Sequence, residues 1–153
     1  MNGEGLGFIR SGLATAAVLF GIAADAAGEG LKPYRVVGDG IPEPLAARPG
    51  NAARGLEIAL DRQRGNCNLC HALPAAADYQ GELAPDLARV ASRLTAAQIR
   101  LRVVDSARVN PETIMPAYHR VEGLKRVARE FQGKPVLTAD EIEDVVAYLV
   151  SLH

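Results

Sequence analysis

The chain has 153 residues, which is enough for one compact domain and a targeting segment. Its formal net charge of −1 supplies no basic field for nucleic acid or for an anionic membrane surface, so nucleic acid is not an expected partner. Apolar residues make up 48% of the sequence, yet it contains no Trp, three Phe and four Tyr. This small number of large side chains would leave a hydrophobic core incompletely filled. Another group is therefore expected to supply core volume.

The first 26 residues are typical of an export signal. Arg10 supplies the positive charge that precedes the apolar segment of a signal peptide. The apolar run over residues 13–24 is followed by small residues suited to cleavage. The run is shorter than the ~20 residues needed to cross a bilayer, and Asp25 ends it. We therefore expect a cleaved signal peptide over residues 1–26, a periplasmic location and no membrane span after cleavage. An uncleaved N-terminal anchor is the alternative.

Residues 27–50 are rich in Gly and Pro and show neither a helical nor a strand period. They predict an irregular N-terminal arm that lies on the surface of the protein or on a partner. The domain itself is expected to cover residues 51–153.

A first helix is predicted to begin near Asn51 and to run towards Arg64, where Gly65 ends it. Gly55 in its middle costs about 1 kcal/mol relative to Ala. A close crossing with another helix would explain this glycine, and Tyr148 is expected to pack there.

Two further helices begin at capping boxes, one formed by Thr95 and Gln98 and the other by Thr138 and Glu141. The second helix is predicted to run to Asp105. The third has an apolar face at helical spacing, and its acidic residues are expected to be exposed to solvent. Those apolar residues are Ile142, Val145, Val146, Leu149 and Leu152, and the acidic ones are Asp140, Glu143 and Asp144. The pattern as a whole predicts an all-α fold.

The segment from Cys67 to His71 reads Cys-Asn-Leu-Cys-His, the attachment motif of haem c, and it holds both cysteines of the chain. Two residues between the thiols allow both to add to the vinyl groups on one edge of the porphyrin. The histidine that follows is then placed beneath the iron. We predict one covalently attached haem c per chain, bonded through Cys67 and Cys70, with His71 as an iron ligand. This large apolar group would also supply the missing core volume.

Two other uses of the cysteine pair are less well supported by the sequence. A disulfide or thioredoxin-like redox pair normally opens a helix after a strand, and no such pattern surrounds residues 60–75. A structural zinc site needs four ligands, and the chain has two Cys and three His without a second Cys pair.

The second axial ligand is expected to be Met115, the only Met that remains after export. Pro111 and Pro116 restrict the backbone around it, which suits a loop that holds one side chain against a metal. His119 and His153 are the alternative ligands, and a core role is the alternative for Met115 itself.

Two further expectations concern the surroundings of the haem. Pro85 either presents its carbonyl to the outer nitrogen of His71 or is an ordinary loop proline. Arg62, Arg64 and Lys134 are possible propionate contacts but are more simply read as solvated. No paired carboxylates, Ser/His/Asp set or phosphate loop predicts a catalytic residue.

Beyond the haem motif, several segments resemble SoxX, the small monohaem subunit of the sulfur-oxidising SoxAX cytochrome complex. They are residues 41–45 of the arm, residues 65–71, the Asn-Pro-Glu-Thr-Ile-Met-Pro run at 110–116, residues 133–138 and residues 143–149. The haem motif is shared by all cytochromes c, so the resemblance depends mostly on the arm and on the run that contains Met115.

The resemblance implies a small class I-like monohaem cytochrome c fold with a haem ligated by His71 and Met115. It also implies a periplasmic heterodimer with a SoxA-type cytochrome subunit, which joins thiosulfate oxidatively to a cysteine of a SoxYZ-type carrier. This chain would be the non-catalytic electron-transfer subunit of that L-cysteine S-thiosulfotransferase and would pass electrons to a soluble cytochrome c. A free-standing soluble periplasmic electron carrier is the alternative.

Overall fold

The computed structural model describes Met1, residues 30–74 and residues 79–153. The predicted signal peptide, apart from Met1, and the first three arm residues lie outside the described residues. No helix in the described part of the chain is long and apolar enough to cross a bilayer.

Three α-helices form the framework of the described residues: α1 (Ala52–Leu60), α2 (Ala96–Asp105) and α3 (Ala139–Val150). Both α1 and α2 pack against α3. Loops and short 3-10 turns connect them, and the only β-type pairing in the described ranges is an isolated bridge between Val37 and Gly40. The prediction of an all-α fold is therefore confirmed.

Each helix begins where its capping residue predicts. The Asn51 side chain accepts a hydrogen bond from the Arg54 N–H at 3.0 Å. Thr95 and Thr138 form both halves of their capping boxes, which pair backbone N–H groups that the first turn of a helix leaves without partners.

Helix α1 is shorter than predicted, because it ends at Leu60 rather than near Arg64. Asp61 adopts an extended backbone (ψ 118°) and the chain turns back, so that the Gly65 N–H reaches the Ile58 carbonyl at 3.1 Å. A side chain at Gly65 would overlap this carbonyl, which is why glycine is needed after the turn. The turn ends directly before Cys67, the first residue of the haem motif.

Gly55 lies where α1 and α3 cross. A Cβ atom at this position would overlap the backbone carbonyl of Asp144 and would lie 2.8 Å from the Cβ of Tyr148. The predicted close crossing, with Tyr148 packed over Gly55, is therefore confirmed.

Replacing Gly55 with Val should lower the free energy of unfolding by roughly 1 to 3 kcal/mol, because the side chain must push the helices apart. Ala53→Val is the matched control, since Ala53 is exposed on the same helix and reports the lower helix propensity of Val alone. Urea unfolding of both haem-loaded variants measures the difference. Equal stabilities would show that the crossing tolerates a larger residue.

The prediction that Glu143 and Asp144 of α3 are solvated is wrong: they are 5% and 2% exposed. Asp140 is exposed, as predicted. Both buried acids are paired with arginines. Arg100 of α2 donates two hydrogen bonds to Glu143 at 2.8 and 2.9 Å, and two other arginines form ion pairs with Asp144 at 2.9 Å. Buried charges are tolerated when they are paired and fully hydrogen-bonded in this way.

The described part of the arm, residues 30–50, packs on its own domain. Ile41 is fully buried, and its N–H donates to the Ala97 carbonyl of α2 at 2.9 Å. Arg100 donates to the Ile41 carbonyl at 2.7 Å, and the Leu45 N–H donates to Glu143 at 2.9 Å. The buried acids of α3 and the arginine of α2 therefore help to hold the arm in place.

Candidate haem site

Both cysteines and His71 lie on one tight turn. Asn66 has a left-handed backbone (φ 46°), and the chain then forms a 3-10 turn over Cys67–Leu69. The N–H groups of Cys70 and His71 both bond to the Cys67 carbonyl, at 3.2 and 2.9 Å. This compact turn brings the two thiols and the imidazole close together, and both cysteines are free.

The segment after the motif runs alongside it. Hydrogen bonds from the N–H groups of Gly81, Ala84 and Leu87 reach the carbonyls of residues 68, 70 and 72 at 2.8, 2.9 and 3.0 Å. A Cβ at Gly81 would overlap the Leu69 carbonyl, so only glycine allows this approach. The segment braces the attachment turn along its length.

The same segment contacts His71 directly. The Pro85 carbonyl lies 2.6 Å from Nδ1 of His71. Since a carbonyl can only accept, Nδ1 carries the proton and Nε2 is left with a free lone pair. That is the tautomer an iron ligand needs.

Met115 lies in a loop with its own internal hydrogen bonds. The Met115 N–H donates to the Thr113 hydroxyl at 3.2 Å, and the Thr113 N–H donates to the Asn110 carbonyl at 3.1 Å. Further along, the Tyr118 hydroxyl donates to the Gly65 carbonyl at 2.6 Å and so ties this loop to the residues that precede the cysteine motif. Burial raises the pKa of Tyr118, which keeps the hydroxyl protonated as a donor.

His119, the alternative ligand, is fully buried and uses both ring nitrogens elsewhere. Its Nδ1 donates to the Leu137 carbonyl at 2.8 Å, and its Nε2 accepts from the Lys32 N–H at 3.1 Å. Burial lowers the pKa of His119 and favours this neutral form. His153 is exposed at the chain end. Neither histidine competes with Met115 in this arrangement.

Cys67, Cys70, His71 and Met115 all line one cavity of about 670 Å³. Several residues of the hydrophobic core line it, and so do the exposed residues Leu83 and Ile114, so the cavity reaches from the surface into the core. The apolar part of the lining consists of Leu83, Ala84, Pro85, Leu87, Val90, Leu94, Ile99, Val103, Ile114, Pro116, Tyr118, Leu137, Val145 and Leu149. Two thiols, an imidazole and a thioether around a large apolar cavity fit a covalently held haem.

The state of the Cys67 thiol argues against thiol redox chemistry. Burial raises its pKa to about 11, whereas reactive cysteines of disulfide oxidoreductases have a lowered pKa. Within the described residues, moreover, no group of three or more potential metal-binding side chains is present. A buried thiol with a raised pKa is a poor nucleophile for disulfide exchange.

Arg93 and Arg102 also line the cavity, and the sequence analysis missed both. Arg102 lies within the apolar stripe of α2, three residues after Ile99 and one before Val103. A charged residue at such a position could have indicated from the sequence that Arg102 faces the cavity. Arg62, Arg64 and Lys134 are not part of the lining, and Arg64 instead pairs with Glu141 at 3.1 Å.

The chain matches a known protein family and a solved structure. The family model for cytochrome c matches residues 52–153. No curated protein matches the chain. The crystal structure of SoxXA from P. pantotrophus is similar, with a TM-score of 0.72 and 35% identity, over 78% of this chain and 93% of that one.

The chain therefore belongs to the cytochrome c family and carries covalently attached haem c. The similarity to the SoxXA structure confirms the resemblance to SoxX that the sequence indicated.

Proposed function

We propose that this chain is the electron-transfer subunit of a periplasmic SoxAX-type complex. The observation that carries the proposal is the meeting of Cys67, Cys70, His71 and Met115 at one core cavity, in a chain similar to SoxXA. Cys67 and Cys70 would hold the haem, and His71 and Met115 would ligate its iron.

The residues of this chain would supply the ligands and a largely apolar cavity for the haem. The Pro85 carbonyl orients the His71 ring and fixes its tautomer. Haem c, when bound, supplies one-electron redox chemistry at its iron. His71 and Met115 would both ligate the iron, which would leave no site on it for a substrate, so the chain would transfer electrons without making bonds. A Met ligand also raises the reduction potential, which suits an electron acceptor.

The proposed partner is a SoxA-type cytochrome subunit. The complex would join thiosulfate to a cysteine of a SoxYZ-type carrier, and this chain would pass the released electrons to a soluble cytochrome c. Support comes from the SoxXA similarity over most of the chain and from the export signal that the first 26 residues predict.

A free-standing periplasmic electron carrier is the second candidate, and one observation favours it. The arm was expected to lie either on the surface of the protein or on a partner, and residues 41–48 pack on α2 and α3 of the same domain. The arm therefore gives no independent argument for a heterodimer.

Purification of the tagged protein from the periplasm of its native host, grown on thiosulfate, separates the two candidates. We expect a second haem-bearing chain to elute in equal amount and to show on a gel stained for covalent haem. Recovery of a single red chain would favour the free carrier, and a colourless chain would contradict haem attachment altogether.

A further inference from the structure

A cavity that accepts haem must also accommodate its two propionate carboxylates. Buried or half-buried carboxylates are costly unless cations or hydrogen-bond donors meet them. Among the described lining residues, two arginines are present, Arg93 and Arg102, which match the two propionates in number and charge. Glu112, an exposed residue of the lining, is the acidic group there.

Arg93 has a fixed guanidinium without an acidic partner in the described ranges. Its Nη1 donates to the Ala88 carbonyl at 3.0 Å and its Nη2 to the Asp86 carbonyl at 2.7 Å. Carbonyl groups orient the guanidinium but do not neutralise it. The same short segment provides the Pro85 carbonyl that bonds His71. Its contacts therefore fix the position of Arg93 relative to the haem-attachment turn.

Arg102 lies on the cavity-lining face of α2, together with Ile99 and Val103. Its Nη1 donates to the Gln98 carbonyl at 2.9 Å. The nearest acidic oxygen, Oδ2 of Asp39, is 3.7 Å from its Nη2, and Asp39 is a surface residue. A long ion pair to an exposed carboxylate contributes little, so most of the charge of the half-buried Arg102 remains available to the cavity.

We propose that Arg93 and Arg102 bind the haem propionates and keep them ionised. Each guanidinium presents a planar fork that suits a carboxylate. This inference rests on the proposed placement of haem in the cavity, and it does not depend on the partner or on the sulfur chemistry.

The test is the reduction potential of the haem-loaded protein, measured against pH, for Arg93→Gln, Arg102→Gln and the double variant. Loss of a cation beside the haem favours the oxidised form, so the potential should fall. A propionate without its arginine should also bind a proton more readily, so the potential should depend more steeply on pH than in the parent protein. The double variant should show the larger shift.

Arg89→Gln is the matched control, because Arg89 is exposed, carries the same charge and does not line the cavity. Arg93→Lys and Arg102→Lys retain the charge and should stay closer to the parent potential than the Gln variants. If all the Gln and Lys variants match Arg89→Gln at every pH, the proposal is overturned. The methionine-to-iron charge-transfer band, recorded on the same samples, separately tests the ligation by Met115.

Discussion

Replacing Met115 with Ala should lower the reduction potential by on the order of 100 mV, a fraction of the ~0.8 V range that axial ligands control. Under the proposed ligation, loss of the thioether would remove a ligand that stabilises the reduced iron. The variant should also bind carbon monoxide or azide, which the parent protein should not. Redox titration and absorption spectra of the purified protein measure both effects.

Two variants control for this result. Val109→Ala changes an exposed residue that precedes Met115 in the chain and does not line the cavity, so it should leave the potential and the ligand binding unchanged. His119→Gln removes the alternative ligand and should keep the methionine-to-iron band, although it disturbs the contacts to Lys32 and Leu137. An unchanged potential with no ligand binding in Met115→Ala would contradict the assignment.

Replacing Asp144 with Ala should lower the free energy of unfolding by about 1 to 3 kcal/mol, because it removes a buried acceptor and leaves the Asn51 N–H and two partly exposed guanidinium groups without that partner. Asp144 accepts four hydrogen bonds from Arg48 and Arg54, each at 2.9 or 3.0 Å, and one from the Asn51 N–H at 2.7 Å. The Asp144 carboxylate thus links α3 to the arm, to the N-cap of α1 and to the first turn of α1. Urea unfolding of the haem-loaded variant measures the loss.

Asp140→Ala is the control, since Asp140 lies on the same helix and pairs with Arg48 at 3.2 Å but is exposed. Its loss should change stability by at most about 1 kcal/mol, as is usual for surface ion pairs. Equal effects of the two substitutions would show that burial of Asp144 does not matter.

The contribution of Asp144 should also depend on pH. Burial alone would raise its pKa, but the hydrogen bonds from Arg48, Arg54 and Asn51 outweigh this and hold the pKa well below its usual range. Since the folded-state pKa is lower than the unfolded one, the stabilisation is complete above the unfolded value of about 4 and is lost as the pH falls further. The stability difference between the parent and Asp144→Asn should therefore be constant near neutral pH and shrink in acid. A difference that grows in acid would contradict the pKa direction.

The sequence by itself determined the features that depend on neighbouring residues. The five-residue motif ending at His71 is sufficient to predict haem attachment, because its chemistry needs only one turn of chain. The starts of α2 and α3 follow from Thr95 and Thr138, since capping is a contact between residues three apart. The helix crossing at Gly55 could be anticipated because a glycine inside a helix requires a packing reason.

Only the tertiary structure decided features that join distant segments. Glu143 and Asp144 look like a solvated helix face, and their burial depends on arginines that lie 43 to 96 residues away in the chain. His119 has the chemistry of an iron ligand, but contacts to Lys32 and Leu137 occupy both its nitrogens. Arg93 and Arg102 look like surface charges until the cavity between their segments is known. In each case the partner of a polar group is chosen by the packing of the chain, which a local sequence pattern does not contain.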